Sequence, residues 1–93
     1  MSDPLGKKPR QERVDADCVY DLSTRMMKKL RQNCHKAHWD TVTNYWLLAR
    51  LNDEVRELQD AMMNDAPELI ADECADVANF AAMIADNITK GKG

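Results

Sequence analysis

The sequence has little that would hold it in a membrane, staple it outside the cell or build a covalent active site. No apolar run approaches the length of a membrane span, and the first ten residues, Met1 to Arg10, contain no signal-peptide core. A cytoplasmic protein is expected. The cysteines, Cys18, Cys34 and Cys74, are odd in number and lack a framework spacing, which favours reduced thiols over disulfides. No constellation of Ser, Cys or His supports a covalent nucleophile. Cys34, His35 and His38 crowd into one connector, but no second ligand pair stands elsewhere at zinc spacing. The Glu-x-x-His motifs of di-iron bundles are missing from the helical stretches. There are no internal repeats beyond two acidic motifs, and no low-complexity segment.

What remains is 93 residues with a globular apolar fraction of 44% and only five aromatic side chains. That is one small domain. A three-helix chain of this length buries a limited core, so association with further copies is expected. Charge is unevenly spread: residues 1–36 carry a net of +4 and residues 37–93 a net of −7. An acidic core domain argues against general nucleic-acid binding. The split suits a metal site approached by a polyphosphate whose far end meets Lys or Arg.

In chain order, residues 1–14 read as a flexible basic leader without apolar periodicity. Asp15 or Asp17 caps a first helix running to about Asn33, with Val19, Leu22, Met26 and Leu30 as its apolar stripe. Its basic residues, Lys28 and Lys29 among them, mostly decorate a solvated face. The connector from Cys34 to Trp39 follows, and Asp40 or Thr41 opens a second helix that reaches Asn64. Trp46 belongs near its seam, as core. Pro67 then starts a third helix with Glu68 at its positive end, and Lys90 to Gly93 form a frayed exit. The helical domain is 15–89.

The second and third helices carry the chemistry. Leu48, Leu51, Val55, Leu58 and Met62 form one apolar seam, and Ile70, Cys74, Val77, Ala81, Ile84 and Ile88 form another. Two seams joined by a short turn make an antiparallel hairpin. Beside them lie Glu54-Val-Arg-Glu57 and Glu73-Cys-Ala-Asp76, each with carboxylates at i and i+3. At about 100° per residue, Glu54 and Glu57 fall roughly 60° and 120° from Leu51, and Glu73 and Asp76 roughly 40° and 100° from Val77. Both pairs therefore sit on a shoulder of the seam. Acidic flanks of a helical seam are ordinarily solvated and mixed in sign. Here two occur on successive helices, with only Arg50 sharing the shoulder. Converging carboxylates repel and lose hydration unless a cation compensates. All-oxygen ligands suit a hard ion such as Mg²⁺ or Mn²⁺.

E-x-x-E followed by E-x-x-D on the next helix resembles the signature of the MazG-like, all-α nucleoside triphosphate pyrophosphohydrolases. The text from Trp46 to Leu58 and from Glu73 to Phe80 is similar to that family as well, and the resemblance spans about Trp39 to Asp86. It implies Mg²⁺-dependent hydrolysis of a nucleoside triphosphate between its α- and β-phosphates. It also implies that Glu54, Glu57, Glu73 and Asp76 are metal ligands, and that Asn79 supports metal or substrate. Glu57 is the preferred acceptor of the attacking water's proton. Trp39 and His38 are placed where a base stacks, with Lys36 and Lys28 as candidate phosphate contacts, although a Trp closing the end of the core is an equal reading.

The expected architecture is all-α, a helical hairpin plus a first amphipathic helix, assembling into a four-helix-bundle-like homodimer or homotetramer. A stripe of Ala71, Ala75, Ala78, Ala82 and Ala85 on the third helix is the expected contact. The alternative is a non-catalytic helical module whose acidic faces bind a basic partner.

Overall fold

The computed structural model describes residues 9–33 and 38–91, and these are all-α, with three long helices and no strand among the described residues. Helix α1 spans Pro9–Gln32. It begins inside the stretch read as a leader. Proline is well suited to a first helical turn, where its missing N–H is not needed. The residues after it, Arg10 to Arg13, are all good helix formers. The remainder of that leader, residues 1–8, lies outside the described residues, as do 34–37, which include Cys34, His35 and Lys36.

Helix α2 spans Asn44–Met63, a few residues later than Asp40 or Thr41. A single 3-10 turn, Trp39–Thr41, comes first, and Val42 is extended behind it. The Thr43 hydroxyl accepts a hydrogen bond from the Trp46 backbone N–H at 3.0 Å. Thr43, not Asp40, is therefore the N-cap. At the other end the Ala66 N–H donates to the Ala61 carbonyl and the Asp65 N–H to the Met62 carbonyl. This bond pair closes a helix through a left-handed residue, here Asp65 at φ +50°. Pro67 starts α3 at once, and α3 runs Pro67–Thr89.

Helix α3 packs along α2 and also takes α1, so it is the shared wall of the molecule. That double duty turns its burial away from the seam read in the sequence. Ala75, Asn79 and Asn87 are buried, whereas Ile70, Cys74, Val77 and Ile84 are half-buried and Ile88 is exposed. On α2 the buried positions are Leu47, Glu54 and Ala61, spaced by sevens. Leu48 and Met62, placed in the seam by periodicity, are exposed, Met62 by 61%. The centre of burial on α2 lies about 60° from Leu51, toward the carboxylate shoulder. Val19 is likewise no core residue but 68% exposed, and Val14 and Tyr20 on the same stretch of α1 are exposed with it.

Complementary charge aligns α1 on α3. Arg25 reaches Glu68 and Asp72, both at 3.2 Å, and one turn later Lys29 reaches Asp76 at 3.4 Å. These two cations are not simply part of a solvated face. Asn79 Nδ2 adds a bond to the Met26 carbonyl at 3.2 Å. At the far end of α3, Asn87 Nδ2 donates to the Trp39 carbonyl and to Asn44 Oδ1, which fastens the 3-10 turn and the start of α2.

Candidate active site

Three helices meet around a cavity of about 610 Å³. Its aromatic wall comes from Trp39, Trp46 and Phe80, and its polar wall from Lys29, Arg50, Asp76 and Asn79. Trp39 is held in place: its indole N–H donates to Asp86 at 2.9 Å, and His38 stacks on it with ring centres 4.0 Å apart. The Lys90 ammonium and that indole bond hold the Asp86 carboxyl below its ordinary range. Trp46 is 52% exposed, so its place is on the rim of the cavity and not in the core. On α2 it lies about 100° from the buried Leu47, off the inner face.

Next to Asp76 the carboxylates converge. Glu54, Glu57 and Glu73 each offer an oxygen such that the three lie within 4.8 Å of one another. Glu54 is 7% exposed, and burial, together with a hydrogen bond and repulsion from Glu57, pushes its pKa up to about 8. Burial and the charges of Asp76 and Glu57 also raise Glu73, with Lys29 opposing them. One Glu73 oxygen, Oε2, is buried with no hydrogen-bond partner. Raised pKa values and an orphaned buried oxygen both mark a site short of positive charge. Clustered carboxylate oxygens fit a hard divalent cation. Glu54, Glu57 and Glu73 are the residues able to hold it. Asp76 bridges the two halves of the site, lining the cavity while its charge acts on Glu54 and Glu73.

Of the substrate contacts expected from sequence, Asn79, Trp39 and His38 line the cavity. Asn79 is 4% exposed and its Oδ1 has no partner, leaving a buried acceptor in the wall. Lys28 is exposed and does not line the cavity, and Lys36 lies outside the described residues. Sequence reasoning missed Lys29 and Arg50. The wheel that located the carboxylates had the means to find Lys29: relative to Met26 it lies at roughly −60°, on the shoulder, and Lys28 at roughly 200°, on the back. Arg50 carries one bond to Asp53 at 3.0 Å and one to Glu54 at 3.4 Å, with its guanidinium over the Phe80 ring.

With this geometry in view, a family model described as phosphoribosyl-ATP pyrophosphohydrolase matches residues 19–87. The chain belongs to that family. It lies within the MazG-like all-α superfamily that the acidic motifs resemble. Membership supports a pyrophosphohydrolase activity on a nucleotide-like substrate, and not a purely non-catalytic module. No curated protein and no solved structure matches the chain.

Proposed function

We propose that the protein hydrolyses nucleoside triphosphates between the α- and β-phosphates with Mg²⁺, or Mn²⁺ in its place, releasing a monophosphate and pyrophosphate. The observation that supports this most is the shared position of Asp76, which joins an aromatic cavity to a convergent carboxylate group. Trp39 and Trp46 offer π-faces to a base. Asn79 Oδ1 offers an acceptor to a donor on the base or sugar. The triphosphate then extends past Asp76 toward Glu54, Glu57 and Glu73.

A divalent ion held by these carboxylates supplies charge neutralisation for the phosphate oxygens and acidifies the attacking water. Glu57, the exposed member of the group, is in contact with solvent and takes that water's proton. Water oxygen bonds to the α-phosphorus, the bond from that phosphorus to the bridging oxygen breaks, and pyrophosphate leaves with the electron pair. Glu54 is too enclosed to serve as the first proton acceptor and acts as a ligand.

The family description favours a second substrate, an ATP that carries a phosphoribosyl group. The two readings share the bond that breaks and differ in what the cavity must admit. A pyrophosphate-release panel over the ribo- and deoxyribonucleoside triphosphates, with phosphoribosyl-ATP as a separate arm, separates them. Release from one or more simple triphosphates is expected. Release from phosphoribosyl-ATP alone would transfer the assignment to the second reading, and release from none would reject both.

The working unit is proposed to be a homodimer or homotetramer in the cytoplasm. Among the described residues no helix is long and apolar enough to cross a membrane. The exposed or half-exposed apolar residues of α2 and α3 supply surface for a second hairpin.

A further inference from the structure

We infer that Lys29 and Arg50 are counter-ions to the acidic group before metal arrives and pass to the nucleotide's phosphates once metal takes the carboxylates, so that metal binds before nucleotide. The inference rests on the proposed nucleotide hydrolysis and adds an order and two residues to it.

Both side chains occupy the border between the two halves of the site. Each lines the cavity, and each is paired with an acid of the neighbouring group, Lys29 with Asp76 and Arg50 with Glu54, both at 3.4 Å. These pairs are long for charge-assisted hydrogen bonds, which run at about 2.7–2.9 Å. They compensate charge without locking these partners, and Arg50 is positioned from its other side by Asp53 at 3.0 Å. Three other cations of α1, Arg25, Lys28 and Arg31, are placed differently. Arg25 is taken up by Glu68 and Asp72, and Lys28 and Arg31 are exposed and line no part of the cavity. Among the described residues, Lys29 and Arg50 are thus the Lys and Arg side chains that touch both the acids and the space where a phosphate chain would lie.

The consequence is a competition. A cation entering the carboxylate group must displace or share the charge that Lys29 and Arg50 now provide, and removing either one leaves more negative potential for the metal. A polyphosphate meets the reverse situation. Without metal it faces repelling carboxylates and two cations drawn to them; with metal the group's charge is neutralised, Arg50 gives up Glu54 and keeps Asp53, and Lys29 is held by Asp76 alone. The unpartnered Glu73 Oε2 and Asn79 Oδ1, buried beside this border, are independent signs that the site awaits further ligands.

The test is isothermal titration calorimetry on the full chain, with Mn²⁺ alone as one probe and inorganic pyrophosphate, with and without saturating Mg²⁺, as the other. Lys29→Met and Arg50→Met are expected to bind Mn²⁺ about threefold to fivefold more tightly than wild type, the scale of a partly exposed ion pair. The same variants should bind pyrophosphate in Mg²⁺ about tenfold more weakly, as loss of a charged hydrogen bond predicts. Wild type should bind pyrophosphate only with the metal present. Lys29→Arg should retain both affinities, and circular dichroism checks that each variant is folded; if Lys29→Met is not, Lys29→Gln replaces it. Unchanged or weaker Mn²⁺ binding in both variants, with normal binding by wild type, overturns the inference and leaves the hydrolase reading intact. Tighter Mn²⁺ binding with unchanged pyrophosphate binding overturns the handover. Pyrophosphate binding that ignores metal overturns the order. A wild type that binds no Mn²⁺ at all defeats the reading on which the inference stands.

Discussion

Glu73 is the residue at which cost and use are most plainly opposed. Its Oε2 is buried without a partner, and burial, with the charges of Asp76 and Glu57, raises its pKa. Nothing in the fold gains from that arrangement, so a bound cation is the natural beneficiary. Glu73→Gln keeps the shape and removes the charge. Turnover should fall by more than about a hundredfold, beyond the loss seen when only an outer partner of a metal is removed. Helicity should stay near wild type, and the melting temperature of the metal-free protein should not fall. Full turnover in this variant, read by pyrophosphate release, would remove Glu73 from the site. The same crowding sets a pH dependence. Glu54 binds its proton more tightly in the folded chain, up to about pH 8, than in the unfolded chain, where an ordinary value near 4.5 applies. Between those limits the native state holds more protons, so stability falls as pH rises. Thermal unfolding of the chelated protein at pH 5.5 and 8.5 should give the higher midpoint at pH 5.5, and Mg²⁺ should narrow the gap. A higher midpoint at pH 8.5 without metal would contradict the clustering of these acids.

At the scale of elements, the turn between α2 and α3 depends on Asp65 holding φ +50°, a conformation that Asp tolerates and β-branched residues do not. Asp65→Val should destabilise by about 1 kcal/mol and Asp65→Gly by little or nothing. Chemical denaturation checks both, and equal stabilities would show the turn to be slack. This turn and the whole of α3, Pro67–Thr89, were legible from Pro67 and the apolar period. The acidic shoulders were legible for the same reason, since i and i+3 positions cannot be separated on a helix. Other features were not. The start of α2 was read at Asp40 or Thr41 and lies at Asn44, behind a Thr43 cap, because Asp and Thr are both acceptable at a helix start and local sequence does not choose among them. Trp46 lies at the rim of the cavity and not in the core. The seam was misread, by about 60° on α2 and by more on α3, because periodicity locates apolar residues, and the buried faces here run through Glu54 on α2 and through Asn79 and Asn87 on α3. Lys29 owes its importance to a pair across helices, with Asp76 of α3, which spacing within one helix does not display; Arg50 pairs along α2, with Asp53 and Glu54, and what spacing does not display is the cavity that it lines.

The whole molecule leaves much of its apolar surface open. Leu48, Met62, Leu69 and Ile88 are exposed, as are Val14, Val19 and Tyr20 on the first half of α1. The alanine stripe of α3 divides: Ala75 is fully buried within the chain, Ala71 and Ala78 are half-buried, and Ala82 and Ala85 are exposed. Only its later part is free to meet another helix. Two hairpins packed about a twofold axis would complete a four-helix core. Sedimentation at micromolar concentration should therefore give the mass of a dimer or tetramer, lowered by Ala82→Glu. A wild-type monomer that turns over nucleotide would show that this surface needs no second copy. The central claim, water attack at the α-phosphorus, is tested most directly by hydrolysis in ¹⁸O-water with Mg²⁺, the products being weighed by mass spectrometry. The account predicts the label in the nucleoside monophosphate and none in the pyrophosphate. Label in the pyrophosphate, or in inorganic phosphate released beside a nucleoside diphosphate, would contradict it.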